Sequence, residues 1–341
     1  MLSKPNLRDE KISDWLRDQY GLRVIQIVFL PTNYENTAAY RVIAEDKTPY
    51  FLKLRRDVLD ENSITVPVFL KNQGVRQIIE PIAARSHLRW AYLDDINVIL
   101  YPFVEGHNAF KVVLSEPQWF ELGAALKGIH SARVPAELRS QLQHETYSRE
   151  WCEKVEMLQE RAQRDTFNDP FAAQLAEFMT VRADEILHLV RRTEQLGSML
   201  KVQSGKFVLC HSDIHAGNIL CDANGSLYIV DWDDPIMAPK ERDLMFIGGG
   251  VGGIWHSAQE EALFYRGYGQ TEINPIALTY YRFNRILQDI GIYAEQLLLT
   301  ASGSQDRMRT LQGIVSFFLP NRVVEMAYKA EKTLPPELRP N

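Results

Sequence analysis

Two acidic clusters separated by a short hairpin hold the densest group of functional side chains in the sequence. Two predicted apolar strands, Asn218–Cys221 and Leu227–Asp231, are joined by Asn224-Gly225, a pair that favours a tight β-turn. A hairpin returns the chain to its starting edge, so the two clusters are predicted to lie close together. They are His211-Ser212-Asp213-Ile214-His215-Ala216-Gly217-Asn218 and Asp231-Trp232-Asp233-Asp234.

These side-chain types suit the transfer of a phosphoryl group. That reaction needs a metal ion to offset phosphate charge, a carboxylate to orient the attacking hydroxyl, and a cation on the phosphates that stay behind. Asp213 is predicted to orient the hydroxyl and accept its proton. Asn218 and Asp231 offer the hard oxygen ligands that Mg²⁺ prefers. A zinc site on His211, Asp213 and His215 is the weaker alternative, because it leaves Asn218 and Asp231 without a role.

The pattern His-x-Asp-x-x-x-x-Asn, followed by a hairpin and a further Asp, resembles the catalytic and metal-binding loops of aminoglycoside phosphotransferases. Protein kinases carry a related pattern. Cys210–Leu220 and Val230–Gly250 look more narrowly like spectinomycin phosphotransferases, and the order of elements agrees over essentially the whole chain. The resemblance implies an enzyme that uses ATP and Mg²⁺ to phosphorylate a hydroxyl of an aminoglycoside or aminocyclitol antibiotic, which gives antibiotic resistance.

The same resemblance assigns residues to the nucleotide. Lys53 is expected to contact the α and β phosphates, and Glu61 on the next helix is expected to pair with it. The backbone of Leu100, Tyr101 and Phe103 is expected to bond the edge of the adenine. Asp243 resembles the family's buried aspartate, which accepts backbone hydrogen bonds from the catalytic loop and serves shape more than chemistry.

Three further acids, Asp233, Asp234 and Glu241, lie near the predicted metal ligands. Carboxylates held close together repel one another unless a cation or hydrogen bonds offset their charge. A substrate that carries ammonium groups would supply that cation. The three acids are therefore predicted to contact a cationic small-molecule acceptor.

The segment Pro31–Ala38 stands where kinases have a glycine-rich loop, yet it contains no glycine. Side chains of Asn33, Asn36 or Thr37 could replace some backbone contacts to phosphate, or the loop could close only on the ligand. This departure keeps open a catalytically dead kinase-like binding module. A kinase of a metabolic compound such as choline, homoserine, methylthioribose or a sugar also stays open, because fold does not fix substrate.

The helices and strands predicted around these residues indicate an α+β, bilobal protein-kinase-like fold. Residues 1–103 are predicted to form a small β-rich lobe that binds the nucleotide. Residues 104–341 are predicted to form a larger, mainly helical lobe with the catalytic and metal loops and the acceptor site. The stretch from Leu100 to Gly106 would act as a hinge. Helices are predicted at 7–20, Asp60–Asn72, after the capping box of Ser115 and Gln118, and near 148–164 and 170–200. Strands are predicted at Leu22–Leu30, Ala38–Glu45, Tyr50–Leu54, Pro81–Tyr92 and Asn97–Phe103.

Composition excludes several classes of protein. The formal net charge of −6 disfavours a nucleic-acid partner, which needs a basic face. No apolar run is long enough to cross a membrane, and the N-terminus lacks the apolar core of a signal peptide. The three cysteines have no metal-binding or disulfide spacing, which fits a reducing cytoplasm. No obligatory protein partner is evident.

Overall fold

The computed structural model describes residues 7–31, 37–203, 205–300 and 304–339. These residues form two compact units: one runs to Val113 and includes Gly217–Pro235, and the other comprises Leu114–Ala216 and the chain from Ile236 onward. The first unit is rich in strands and the second is mainly helical, as the sequence predicts for an α+β kinase-like fold. The grouping differs from a division after Phe103, because residues up to Val113 and the hairpin segment 217–235 belong to the first unit.

A five-stranded antiparallel sheet forms the body of the first unit. Its strands are β1 (Val24–Leu30), β2 (Thr37–Ala44), β3 (Pro49–Arg55), β4 (Ala91–Leu93) and β5 (Ile96–Pro102), in the order β1-β2-β3-β5-β4. Helix α1 (Asp9–Tyr20) packs on the sheet through Ile12, Trp15 and Leu16. It ends at Gly21, whose φ of +72° is a left-handed conformation that glycine adopts without steric cost.

Most of the strand predicted at Pro81–Tyr92 is not a strand, and only β4 at its end joins the sheet. Ile82 donates to the carbonyl of Leu100 on β5, but beyond it the backbone bonds elsewhere: Arg85 donates to the carbonyl of Gln19 on α1, and Ala84 donates to Leu88 across a turn. His87 at that turn has φ +67°, which a regular strand does not permit. The helix predicted from Asp60 is α2 (Asn62–Asn72).

The predicted hairpin consists of β9 (Ile219–Asp222) and β10 (Leu227–Ile229), with Gly225 at φ +84° in the turn. Strand β6 (Gly106–Asn108) pairs with β9, so the hairpin belongs to the first unit. The pairing is close at Gly106, where a Cβ atom would lie 2.1 Å from the carbonyl oxygen of Cys221. A larger residue at Gly106 would therefore displace the hairpin that carries Asn218 and Asp231.

The second unit is built around α10 (Pro275–Leu298), which packs against α5, α6, α7, α11 and α12. The capping box predicted at Ser115 is present, since its N–H donates to Gln118 Oε1 at 2.9 Å. The helical stretch predicted at 170–200 is two helices, because the chain turns at Arg182. The other helices are α3 (Glu116–Ser131), α4 (Ala136–Gln141), α5 (Glu150–Arg164), α6 (Pro170–Val181), α7 (Ala183–Val202), α8 (Glu241–Leu244), α9 (Ala258–Tyr268), α11 (Ser304–Ser316) and α12 (Val323–Glu331).

A small sheet of three short strands supports the predicted catalytic loop in the second unit. Strands β7 (Gln143–His144), β11 (Ile236–Ala238) and β8 (Val208–Cys210) lie in the order β7-β11-β8. Strand β8 ends immediately before His211, so the sheet fixes the point at which the predicted catalytic loop begins. Among the described residues, no helix is both long and apolar enough to span a membrane.

Candidate active site

The loop after β8 is held by one buried carboxylate. Asp243 Oδ2 accepts the backbone N–H of His211 at 2.9 Å, and Oδ1 accepts that of Ser212 at 2.6 Å. His130 Nε2 lies 3.0 Å from Oδ2, and the Asp243 side chain is fully buried. Ser212 has φ +72°, a left-handed conformation that is costly for serine and that these bonds stabilise. The hydrogen bonding expected for Asp243 is therefore confirmed.

Asp213 lies at the centre of a group of cationic and polar side chains. Its Oδ1 accepts a hydrogen bond from Arg285 Nη1 at 2.6 Å, and its Oδ2 lies 3.3 Å from His215 Nε2. Burial by itself raises the pKa of Asp213, but the hydrogen bond from His215 and the charge of Arg285 outweigh it, and the net pKa lies far below that of an ordinary carboxyl group. Asp213 is therefore ionised at neutral pH.

Arg285 is a residue of this site that sequence analysis missed. It lies on α10, and its guanidinium also donates to Asp289 Oδ2 one turn further on, with an Nε to Oδ2 distance of 3.1 Å. Burial lowers the pKa of Arg285, but the two carboxylates raise it by more. The spacing of Arg285 and Asp289 is typical of an ordinary surface pair on a helix, so the sequence gives no signal that the pair lies beside Asp213.

A second cluster of charges lies in the first unit, on β3 and after the hairpin. Lys53 Nζ is 2.9 Å from Asp231 Oδ1 and 2.8 Å from Asp233 Oδ1. Arg55 projects from the same face of β3, and its Nη1 lies 3.0 Å from Asp233 Oδ2. Burial lowers the pKa of Lys53, but the two carboxylates raise it to a net value above that of an ordinary lysine. Lys53 is therefore charged, and Arg55 is a second cation that sequence analysis missed.

The hairpin brings the two predicted metal ligands together. Val230, the residue before Asp231, donates its N–H to the carbonyl of Asn218 at 3.0 Å. The Asn218 side chain is buried, whereas that of Asp231 is about one-third exposed. Asp231 has φ +66°, so a strained backbone presents its carboxylate. The amide and carboxylate oxygens of this pair fit the donor set that Mg²⁺ prefers.

The pair expected between Glu61 and Lys53 is not formed. Glu61 is exposed at the beginning of α2, where its carbonyl accepts the N–H of Thr65. The carboxylates that pair with Lys53 are those of Asp231 and Asp233. Glu61 therefore lies in solvent at the start of α2. The residues that follow the hairpin supply the negative charge beside Lys53 that Glu61 was expected to supply.

The residues expected to bond adenine lie on and just after β5. Leu100 is fully buried, and its carbonyl accepts the N–H of Ile82 at 2.7 Å. Phe103 donates its N–H to the carbonyl of Pro49 at 3.3 Å, and the guanidinium of Arg41 lies over its ring. Tyr101 pairs with Phe51 across β3 and β5. Adenine binding by these backbone groups stays a prediction.

Glu241, the third acid predicted to contact the acceptor, is held within the second unit. Its side chain is buried, and Oε1 accepts the backbone N–H of Asn274 at 2.9 Å, immediately before α10. Glu241 borders an open cavity of about 850 Å³ whose lining includes Lys127, Arg133, Lys206 and Lys240 but not Asp213. The acids Glu241 and Glu272 line the same cavity, and contact of Glu241 with a cationic acceptor stays a prediction.

The other two surplus acids differ from each other. Asp233 contacts two cations of the protein, Lys53 and Arg55, which also pair with Asp231 and Asp57. Asp234 is exposed. Of the three acids predicted to contact the acceptor, Asp234 is the most exposed.

Two groups of possible metal ligands make hydrogen bonds within the protein. The Nδ1 atom of His211 accepts the backbone N–H of Asp213 at 3.2 Å, which uses a zinc-ligating atom of the alternative site. His130, Cys210 and Asp243 also lie together, but Nδ1 of His130 bonds the hydroxyl of Tyr268 at 2.8 Å. Burial raises the pKa of the Cys210 thiol well above that of an ordinary thiol.

The glycine-free loop falls largely outside the described residues. Asn33 and Asn36, predicted to replace phosphate contacts, lie in that part of the chain. Thr37 begins β2, where it pairs with Arg55 of β3 in the sheet register.

Comparison with known proteins gives one family and one fold. Residues 26–277 match the profile of the phosphotransferase enzyme family. The crystal structure of spectinomycin phosphotransferase APH(9)-Ia in complex with ADP and spectinomycin is 36% identical, covering 96% of this chain and 100% of that chain, with a TM-score of 0.90. Its AMP-bound complex is 36% identical, covering 94% and 98%, with a TM-score of 0.86.

A structure with much lower sequence identity has a similar fold. An aminoglycoside phosphotransferase from Alicyclobacillus acidocaldarius is 13% identical, covering 97% of this chain and 98% of that chain, with a TM-score of 0.66. A search of curated proteins found no match. The kinase-like fold of these structures agrees with the strand-rich and helical parts of this chain.

Proposed function

The chain belongs to the phosphotransferase enzyme family, and we propose that it transfers the γ-phosphoryl group of ATP to a hydroxyl of an aminocyclitol antibiotic of the spectinomycin type. One observation carries this proposal: 36% identity over 96% of the chain to a spectinomycin phosphotransferase whose structure holds ADP and spectinomycin. Phosphorylation adds charge and bulk to an antibiotic, so this activity would give resistance. ATP is a cytoplasmic compound, so we place the enzyme in the cytoplasm.

Asp213 is the proposed catalytic residue. It would accept a hydrogen bond from the acceptor hydroxyl, orient the oxygen towards the phosphorus and receive the proton. The ionised state of Asp213 supports this role, because a protonated carboxyl group could not accept the proton. The hydrogen bonds of Asp243 to His211 and Ser212 support it further, because they fix the backbone on which Asp213 stands.

Asn218 and Asp231 are the residues that would hold Mg²⁺. Bound there, the ion would neutralise charge that develops on the phosphate oxygens. Lys53 would contact the non-transferred phosphates, and Arg55 on the same face of β3 adds a second positive charge that suits a polyphosphate. Asp233 would then hold these two cations in place, since its carboxylate contacts both.

Asp234 is the residue that we propose for recognition of the cationic acceptor. It is exposed, and it follows directly after the charge cluster of Asp231 and Asp233. An alkylammonium group would gain a charge-assisted hydrogen bond there. A neutral sugar would gain far less.

The proposal is tested by steady-state phosphorylation of spectinomycin, kanamycin, choline and methylthioribose in parallel, with purified enzyme, ATP and Mg²⁺. We expect the highest kcat/KM for spectinomycin. Faster turnover of methylthioribose or choline than of either antibiotic would overturn the substrate class in favour of a metabolic kinase. Binding of spectinomycin without Mg²⁺-dependent turnover would favour a catalytically dead binding module.

A further inference from the structure

Arg285, a helix residue far from the catalytic motif in sequence, makes a hydrogen bond of 2.6 Å to Asp213 Oδ1. We propose that Arg285 is a positioning residue, which holds the Asp213 carboxylate in the orientation that receives the acceptor hydroxyl, and that Asp289 in turn fixes Arg285. This inference rests on the proposed function, in which Asp213 is the carboxylate that takes the proton.

The planar guanidinium suits this task because its N–H groups point in fixed directions. Nη1 is directed to Asp213, while Nε donates to Asp289 on the same helix, one turn further on. The guanidinium also lies over the ring of Phe246, 5.5 Å from its centroid. Three contacts on different sides of the group leave it little freedom to rotate.

Both oxygens of the Asp213 carboxylate are therefore held in place by neighbouring side chains. Arg285 contacts Oδ1, and Nε2 of His215 lies 3.3 Å from Oδ2. An ionised carboxylate oxygen can accept more than one hydrogen bond, so each oxygen retains capacity for the acceptor hydroxyl. A misplacement of about 1 Å at a reacting group can cost about 10²-fold in rate, so fixing the carboxylate is a substantial contribution.

Arg285 also makes Asp213 a weaker base, and the reaction tolerates this. In phosphoryl transfer, the acceptor oxygen forms the new bond to phosphorus, the bond to ADP breaks with its electron pair going to ADP, and the proton passes to the carboxylate. The transition state is loose, so bond formation to the incoming oxygen is little advanced and a strong base is not needed. Orientation by Arg285 therefore outweighs the basicity that its positive charge removes.

The same helix offers a matched control. Arg282 is also largely buried, but its guanidinium donates to the backbone carbonyls of Met245, Ile247 and Met326, at 3.3, 2.9 and 3.3 Å. It makes no ion pair with Asp213. Loss of Arg282 should thus reveal what an arginine at this depth in α10 contributes to stability alone.

The experiment compares Arg285→Gln, Arg285→Lys and Arg282→Gln with wild type in kcat, in KM for ATP and acceptor, and in Tm. We expect Arg285→Gln to lower kcat about 10²-fold with KM for ATP unchanged, because the chemistry step loses its orienting group. Arg285→Lys, which keeps the charge but not the fork, should retain an intermediate kcat. Arg282→Gln should lower Tm while kcat stays near that of wild type.

A double variant separates positioning from a general structural effect. If Arg285 acts only through Asp213, Asp213→Asn with Arg285→Gln should be no slower than Asp213→Asn alone. Additive losses, or a wild-type kcat in Arg285→Gln, would overturn the inference. Should Arg285→Gln not fold, the kcat of Arg285→Lys decides, since a wild-type value there contradicts a role for the fork. Full activity in Asp213→Asn would instead contradict the proposed function.

Discussion

Asp243 accepts the backbone N–H of Ser212 at 2.6 Å, at a residue whose φ is +72°. A fully buried carboxylate thus holds a left-handed serine immediately before the proposed catalytic residue, Asp213. Removal of the carboxylate would leave two buried N–H groups without their acceptor and release the strain of the loop.

We therefore expect Asp243→Ala to lower the free energy of unfolding by about 3 kcal/mol and to abolish most turnover. Urea unfolding and kcat measured on the folded fraction would check both effects. Asp222→Ala is the control, because Asp222 also accepts two backbone N–H groups, from Asn224 and Ser226, but in an exposed turn. A smaller loss of stability in Asp243→Ala than in Asp222→Ala would contradict this account.

The local parts of the site could be predicted from the sequence. Asn224-Gly225 between two apolar runs was enough to predict the hairpin, and the hairpin alone brings Val230 into contact with Asn218. The roles of the loop after β8, of Lys53 and of Asp231 were predicted from residue spacing and family resemblance. Each of these depends on short stretches of chain whose conformation is set by their own residues.

The parts that depend on distant contacts could not be predicted. Arg285 and Arg55 are ordinary charged residues in sequence, and only the fold brings them to Asp213 and Asp233. The family resemblance assigned Glu61 to Lys53, but Asp231 and Asp233, much further along the chain, pair with the lysine. The break at Arg182 between α6 and α7 has no glycine or proline to mark it, so tertiary packing overrides local propensity there.

Asp213→Asn should keep the fold and ATP binding but lower kcat by about 10²- to 10⁴-fold, because the amide still forms hydrogen bonds but cannot accept the hydroxyl proton. Calorimetric titration with ATP and a thermal melt would show that binding and folding are retained. A kcat near that of wild type would remove Asp213 from its proposed role.

Asp231→Asn and Asn218→Ala should both raise the Mg²⁺ concentration that gives half-maximal activity, since each weakens or removes an oxygen ligand. Asp231→Asn suits the test because asparagine tolerates the left-handed backbone of this position, at φ +66°. Asp222→Asn on the same hairpin serves as the control, with an unchanged Mg²⁺ titration. Unchanged curves in the first two variants would exclude these residues as metal ligands.

Lys53→Met should raise KM for ATP or lower kcat and leave the affinity for the acceptor unchanged, because the ammonium is proposed to contact phosphates. The structure adds a second effect: Asp231 and Asp233 lose their shared cation, and Asp233 keeps only its contact with Arg55 among the ion pairs described, while Arg55 also pairs with Asp57. Lys53→Arg keeps the charge and is expected to be the milder variant. A loss confined to acceptor binding would move Lys53 out of the nucleotide site.

Asp234→Asn tests how the acceptor is recognised. Asp233 contacts Lys53 and Arg55, Glu241 is buried against the backbone of Asn274, and Asp234 is the most exposed of the three acids. A charge-assisted hydrogen bond is worth about 1.5–3 kcal/mol, so its loss should raise KM for spectinomycin roughly tenfold or more while KM for ATP stays constant. Asp95→Asn, at an exposed turn between β4 and β5, should leave both values unchanged. An equal KM for spectinomycin in Asp234→Asn and Asp95→Asn would show that Asp234 does not contact the antibiotic, and the cationic groups of the acceptor would then have to be bound by other residues.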